Sequence, residues 1–192
     1  MKKVLEKDQV ELYEEIHTLK QQLSQLEIDY WHLYSNYETW EFWLILLFFF
    51  IAPLVFLYFV IDRRNMLLLG FYGFNIHVWF GYFDTWGAGQ GYWGYPFELV
   101  PFFSGNIPLE TALIPVLFML VYQWTLNNNK NYYVYTFGLT FILSFIFKPI
   151  LTMHHFFEFH QGTNYFHLFL TYLVIFPFSK LITNIFFKMQ EK

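Results

Sequence analysis

The sequence contains no cysteine and few charged residues, and these two absences exclude several kinds of site. Without cysteine there is no disulfide, no thiolate nucleophile and no cysteine-ligated metal. Only 14% of the residues are charged, and the 11 lysines and arginines form no patch for nucleic acid. Gly-rich phosphate loops, HExxH zinc motifs and GxSxG nucleophile turns are also missing. We therefore predict no catalytic residue, no cofactor and no nucleic-acid partner.

Hydrophobic residues make up 56% of the chain, and aromatic residues alone make up 26%. The first long apolar run follows Glu41 and stops at Asp62, which leaves about twenty residues to cross a hydrocarbon core of ~30 Å. Later runs of similar character predict an all-α, multi-pass protein of the lipid bilayer. The predicted transmembrane domain is residues 41–192, with spans near residues 42–61, 66–83, 107–126, 132–153 and 164–187.

The segments between these runs are predicted to be loops. Residues 84–95 contain four glycines and no lysine or arginine, which is typical of a loop. Residues 96–104 are apolar but too short to cross, so we interpret them as a re-entrant or interfacial segment. A sixth span is the alternative for that segment. Residues 154–163 form the last predicted loop.

Residues 1–40 carry an uninterrupted heptad pattern. Leucines recur every seven residues, and a second set of mostly apolar residues follows each leucine by four, which is the spacing of a left-handed coiled coil. The pattern predicts one long helix that runs almost straight into the first span and joins a second copy or a coiled-coil partner. The alternative is a helix that folds back onto its own membrane domain or lies at the bilayer surface. The predicted seam consists of Leu5, Leu12, Ile16, Leu19, Leu23, Leu26, Tyr30 and Leu33.

The distribution of basic residues predicts the orientation of the chain. Arg63, Arg64, Lys130 and Lys188 fall on one side of five spans, whereas the two inter-span loops on the other side contain no lysine or arginine. Basic loops stay in the cytoplasm. We therefore expect a cell-membrane protein with its N-terminus outside and its C-terminus inside. One consideration opposes this orientation, because a charged N-terminal segment of forty residues would have to cross the membrane.

Polar residues gather at the predicted outer ends of the spans. Ionisable groups in hydrocarbon usually face a bundle interior or a wet cavity, so Lys148 is expected to pair with Glu110 or Glu158. One interpretation is a structural ion pair, and the other is an outward-facing pocket for a small ligand, a lipid headgroup or a proton. His154 and Glu158 are spaced for a shared metal on a helix, but no repeated histidine spacing accompanies them, so no metal site is predicted. The candidate polar residues are Glu98, Glu110, Lys148, His154, His155, Glu158 and His160.

Several short motifs resemble those of a family of small, uncharacterised multi-pass membrane proteins of Bacillus, Clostridium and related Firmicutes. The resemblance covers residues 43–188, and the heptad region lies outside it. It implies a multi-pass membrane fold but no activity, so it assigns no role to any residue. The motifs are Asp62-Arg63-Arg64, Tyr95-Pro96, Phe102-Phe103, Tyr122-Gln123-Trp124 and Tyr165-Phe166-His167.

Two hypotheses from different classes follow. The first is a non-enzymatic membrane scaffold or sensor that associates through the N-terminal coiled coil. The second is a small-ligand or lipid-binding transporter, or a membrane enzyme, that uses the outward-facing glutamate, lysine and histidine residues.

Overall fold

A computed structural model describes residues 6–103 and 105–190. Within these residues the chain forms six helices and one short pair of β-strands. Helices α2 to α6 are each long and apolar enough to cross a membrane. The prediction of an all-α, multi-pass membrane protein with five spans is therefore confirmed. The helices are α1 (Lys7–Tyr34), α2 (Trp40–Val60), α3 (Met66–Gly89), α4 (Leu109–Asn127), α5 (Tyr132–Met153) and α6 (Tyr165–Gln190).

The five spans give the membrane domain two ends. Because consecutive spans cross in opposite directions, the short connections at residues 61–65 and 128–131 share one end, which we call the basic end. The longer connections at residues 90–108 and 154–164 share the opposite end with α1. There β1 (Trp93–Gly94) pairs antiparallel with β2 (Glu158–Phe159), with Trp93 opposite Phe159. This pairing ties the two longer connections together.

The N-terminal helix does not run straight into the first span, so that part of the prediction is wrong. Residues 35–39 form a turn between α1 and α2. The Asn36 side chain accepts a hydrogen bond from the Glu38 backbone N–H (2.7 Å), and Thr39 caps α2 by accepting from the Phe42 N–H (3.4 Å). Asparagine and threonine favour such turns and caps because their short side chains satisfy free backbone donors.

The second span is longer than predicted, since α3 continues to Gly89 through residues assigned to a loop. Glycine inside a helix costs only about 1 kcal/mol, and packing of the last turn offsets that cost. A Cβ on Gly87 would overlap the buried indole ring of Trp93. The helix ends at Gly89, and two residues later Gly91 has a φ of +71°, which suits glycine. There the Tyr92 N–H donates to the Gly87 carbonyl (3.0 Å), which is a Schellman end.

Helix α5 ends in the same way, but at a histidine. His155 has a φ of +58°, and the following Phe156 N–H donates to the Leu151 carbonyl (2.9 Å). The turn places the Phe156 side chain in the core. His155 therefore occupies the left-handed position that stops a helix, a role that its residue type did not suggest.

Three of the described spans contain a wide π-helical turn that ends two residues before a proline. The turns are Ile45–Ile51, Leu109–Leu113 and Leu143–Phe147, and the prolines are Pro53, Pro115 and Pro149. Proline lacks an N–H and its ring pushes away the carbonyl one turn earlier, so a wider turn relieves the clash. Two of these turns carry or adjoin Glu110 and Lys148.

Candidate functional site

Four polar residues meet inside the membrane domain at the end opposite the basic end. We call Asp84, Tyr95, Glu110 and Lys148 the polar cluster. They come from α3, the 90–108 connection, α4 and α5, and they line a cavity of about 20 Å³. That volume holds about one water molecule.

Asp84 is the hydrogen-bond acceptor at the centre of the cluster. Its Oδ1 accepts from the Tyr95 hydroxyl (2.6 Å) and from Trp93 Nε1 (2.9 Å), and its Oδ2 accepts from the Asn106 backbone N–H (3.1 Å). A carboxylate has only acceptor sites, so three donors satisfy it well. Two of those donors are in β1 or directly after it, which explains why that segment folds back onto α3.

Lys148 is 2% exposed, and it reaches Asp84 only through Tyr95. Its Nζ donates to the Tyr95 hydroxyl oxygen (3.3 Å) and lies 3.8 Å from the ring centroid of Phe157, a cation–π contact. In the described part of the chain no carboxylate oxygen lies within 4.0 Å of Nζ. The predicted direct pairing with Glu110 or Glu158 is therefore wrong, because the phenol of Tyr95 stands between lysine and acid.

Tyr95 keeps its proton and so remains a donor to Asp84. Burial raises the pKa of the Tyr95 phenol well above its usual value, and the nearby charge of Asp84 acts in the same direction. The direction of both hydrogen bonds in the series Lys148–Tyr95–Asp84 is therefore fixed. The ammonium of Lys148 donates to Tyr95, and Tyr95 donates to Asp84.

Glu110 is 8% exposed, and its side chain lies beside that of Asp84 under the backbone of Gly105. No described residue donates to its Oε1. The backbone of Gly105 covers the two acids, since a Cβ there would lie 2.8 Å from Glu110 Oε1 and 2.9 Å from Asp84 Oδ2. The backbone carbonyl of Glu110 lies 3.1 Å from His77 Nδ1.

The predicted histidines lie outside this cluster. His154, His155 and His160 are exposed, and His155 Nδ1 contacts Glu158 Oε1 at 3.1 Å on the surface. No group of three or more acidic and histidine side chains suited to a metal ion is found in the described residues. The candidate set therefore divides, with Glu110 and Lys148 in the cavity and the other members elsewhere.

Glu98 belongs to a junction between the 90–108 connection and α1. Its backbone carbonyl accepts from Trp31 Nε1 (3.1 Å) and Ser35 Oγ (2.9 Å), and its N–H donates to Ser35 Oγ (2.8 Å). Burial raises the pKa of the Glu98 carboxyl to about 8, and the charges of Glu27 and Asp84 add to the effect. This junction is where α1 is attached to the rest of the chain.

Sequence reasoning missed Trp93, Tyr95 and Asn106 as partners of the cluster. Their contribution depends on how a loop folds back, which no local pattern encodes. The sequence did offer one indication, since the indole N–H of Trp93 and the hydroxyl of Tyr95 need hydrogen-bond partners when they are buried. The half-buried Asp84 accepts from both residues, and the buried Lys148 donates to Tyr95.

The fold and the cluster together define an all-α, multi-pass membrane protein whose spans enclose a linked acid–tyrosine–lysine group. Comparison with known protein families, curated proteins and solved structures finds no match. Its function is therefore inferred from its own residues.

Proposed function

We propose that the protein is a membrane scaffold or sensor whose copies associate through α1. The observation that supports this proposal is the exposure of the predicted seam, since Leu19 is 57% exposed and Leu26 is 65% exposed. No residue of α1 is buried. Leu5 lies outside the described residues. A regular apolar stripe left in water is stabilised when another helix covers it.

A second copy of the same chain is the partner that fits this stripe. All copies enter the membrane in one orientation, so their α1 helices are parallel and start in the same register. Leucine fills every d position, and Ile16 and Leu23 occupy a positions. The flanking g-to-e pairs contain one opposite-charge pair and no like-charge pair. These pairs are Asp8–Tyr13, Glu15–Lys20, Gln22–Glu27 and Asp29–Tyr34.

The attachment of α1 to its own membrane domain leaves most of the seam accessible. Trp31 and Ser35, which hold Glu98, lie at heptad positions b and f, on the side of the helix away from a and d. The groove between α1 and the 90–108 connection reaches only Leu23, Leu26 and Tyr30 of the seam.

Native mass spectrometry of the full-length protein in mild detergent tests this proposal. We expect an oligomer for the natural sequence and a monomer for the variant Leu19→Lys with Leu26→Lys, because lysine in the seam places charge between the helices. The control is Gln21→Lys with Gln25→Lys, which adds the same charge at f and c positions. A natural chain that is monomeric, or equal loss of oligomer in both variants, contradicts association through the seam.

We place this protein in the cell membrane with α1 outside and the basic end in the cytoplasm. The support is the asymmetry of lysine and arginine between the two ends. Because the chain has no cysteine, single variants Gln21→Cys and Lys130→Cys can be labelled in intact cells with an impermeant maleimide. Labelling at Gln21→Cys alone is expected, and labelling at Lys130→Cys alone contradicts this orientation.

A second candidate function is a small-ligand or lipid-binding transporter or a membrane enzyme. It is favoured by Glu110, a buried acid that faces a cavity and whose Oε1 receives no donor from the residues that the structure describes. The cavity is far below the ~300–1,000 Å³ of ligand pockets, so a ligand needs a more open conformation. A small molecule retained by the natural chain and lost from Glu110→Gln in native mass spectrometry would support this function over the scaffold.

A further inference from the structure

Two carboxyl groups come together where the half-buried Asp84 meets Glu110, which is 8% exposed, beside a cavity of about 20 Å³. The two atoms that a Cβ on Gly105 would touch are Glu110 Oε1 and Asp84 Oδ2, so both oxygens face the same small space. Asp84 Oδ2 already accepts from the Asn106 N–H, whereas Glu110 Oε1 receives no donor among the described residues. If both groups were ionised, neither would have a proton to donate to the other.

We propose that Asp84 and Glu110 form a proton-binding site, in which one proton sits on Glu110 Oε1 and is donated to Asp84. Two carboxylates in contact repel each other strongly where the dielectric constant is low, and a shared proton removes that repulsion. The proton also gives Glu110 Oε1 the partner that it lacks.

The charges of the cluster balance only when this proton is present. Lys148 contributes one positive charge and Asp84 one negative charge, and Tyr95 joins them by hydrogen bonds. A second ionised acid would leave a net negative charge in the interior, which is costly. With the proton on Glu110, all three hydrogen bonds run in consistent directions: from Lys148 to Tyr95, from Tyr95 to Asp84 and from Glu110 to Asp84.

Within residues 6–103 and 105–190, no other ionisable group around the pair supplies the missing proton. His77 of α3 contacts the backbone carbonyl of Glu110 and not its side chain. Tyr172 of α6 lines the cavity, and Glu98 of the 90–108 connection adds only another negative charge nearby.

A proton fits this site better than a metal ion does. Lys148 already contributes a positive charge, so a bound cation would meet repulsion. A cavity of about 20 Å³ has no room for a hydrated ion, and hard cations need six or more oxygen ligands. A proton needs only the two oxygens that are present, and one water in the cavity suffices to exchange it.

Loss of the proton would act on the packing of the spans. Asp84 lies near the end of α3, and Glu110 lies in the first turn of α4. Deprotonation would remove the proposed hydrogen bond from Glu110 to Asp84 and replace it with repulsion, so the site would link protonation to the contact between these helices.

Infrared spectroscopy of the full-length protein in lipid nanodiscs tests the site. Because burial raises the pKa of Glu98 to about 8, that acid is removed first, and all samples carry Glu98→Gln. The difference between this background and the same chain with Glu110→Gln at neutral pH should show one protonated-carboxyl C=O band. The matched control is Glu158→Gln, whose difference spectrum should lack that band.

A second variant checks the sharing of the proton and does not depend on loss of Glu110. In Asp84→Asn, Glu110 becomes the only acid that can balance Lys148, so we expect its protonated band to be replaced by a carboxylate band. With Asp84 present, a Glu110 difference spectrum that has only carboxylate bands overturns the proposal, and so does a protonated band that persists in Asp84→Asn. So does a carboxylate band that shifts when sodium replaces potassium, since that outcome identifies a metal-ion site.

The outcome is independent of association through α1, because the cluster residues lie outside the seam. Native mass spectrometry on the same samples should give an unchanged number of subunits for Glu110→Gln. Infrared spectra therefore test the proton site, and the number of subunits separately tests the proposed scaffold.

Discussion

Replacing Lys148 by methionine should destabilise the protein strongly, although methionine has a similar length and suits an apolar interior. Lys148 is 2% exposed, and its ammonium is the nearest positive charge to Asp84, through Tyr95. Removing it leaves the half-buried Asp84 carboxylate without that counter-charge. Breaking a buried pair on one side typically costs about 3–5 kcal/mol, and we expect a loss in this range.

Removing both charges should cost much less than the sum of the single changes. In Asp84→Asn with Lys148→Met no charge remains, and the asparagine still accepts from Tyr95 and Trp93 with its carbonyl oxygen. Replacement of a whole buried pair is often neutral or even stabilising. We expect a coupling free energy of at least about 2 kcal/mol between the two sites, towards the upper end of the range for contacting residues.

Reversible unfolding in mixed micelles with increasing denaturing detergent measures these free energies. Lys188→Met is the matched control, because Lys188 is exposed near the end of α6 and its loss should change stability by less than about 0.5 kcal/mol. If the free energies of the two single variants simply add in the double variant, Lys148 and Asp84 are not coupled and the reasoning is refuted.

Three further predictions concern the ends of the helices and the junction with α1. Gly87→Ala should lower the melting temperature because its Cβ overlaps the Trp93 ring, whereas Gly89→Ala, with open space around it, should raise it slightly. His155→Gly should stabilise the protein by up to about 1 kcal/mol at pH 8, since glycine adopts the left-handed conformation without strain. The raised pKa of Glu98 means that the folded chain binds its proton more tightly than the unfolded chain, so the Glu98 junction should weaken as pH rises from about 4.5 to about 8. The protection of the Trp31 segment against hydrogen exchange, measured relative to the intrinsic rate at each pH, should therefore fall over that range, and Glu98→Gln should remove the fall.

The number of spans was predictable because hydrocarbon thickness fixes the length of an apolar run. The ends of the spans were less predictable. Residues 84–89 look like a loop because glycine is frequent there, yet Gly87 is in the helix so that Trp93 can approach it. This close approach is a tertiary contact, which local helix propensity does not predict. The break at residues 35–39 is the opposite case, because Asn36 and Thr39 are recognisable turn and cap residues that the strong heptad pattern obscured.

The candidate site was predicted in part. Glu110 and Lys148 were identified because ionisable residues inside an apolar span need a reason to be there. The histidines were included with them because they lie at the same end in the topology, but sharing an end of a membrane domain does not bring side chains into contact. Lys148 also required a partner, and charge alone suggested a glutamate. The actual partner is the neutral phenol of Tyr95, which only the fold of the connection places between lysine and acid.

The connection that carries Tyr95 also bears on the choice between a scaffold and a sensor. Tyr95 donates to Asp84 in the cluster, and three residues later the backbone of Glu98 bonds to Trp31 and Ser35 of α1. A stretch of four residues thus contacts both the buried acids and the helix with the exposed seam. A change of charge at Asp84 or Glu110 would alter the hydrogen bond between Asp84 and Tyr95, and Tyr95 belongs to the segment that holds α1. This arrangement favours the sensor form of the proposed function, because a passive scaffold has no need to attach its association helix to a buried ionisable group.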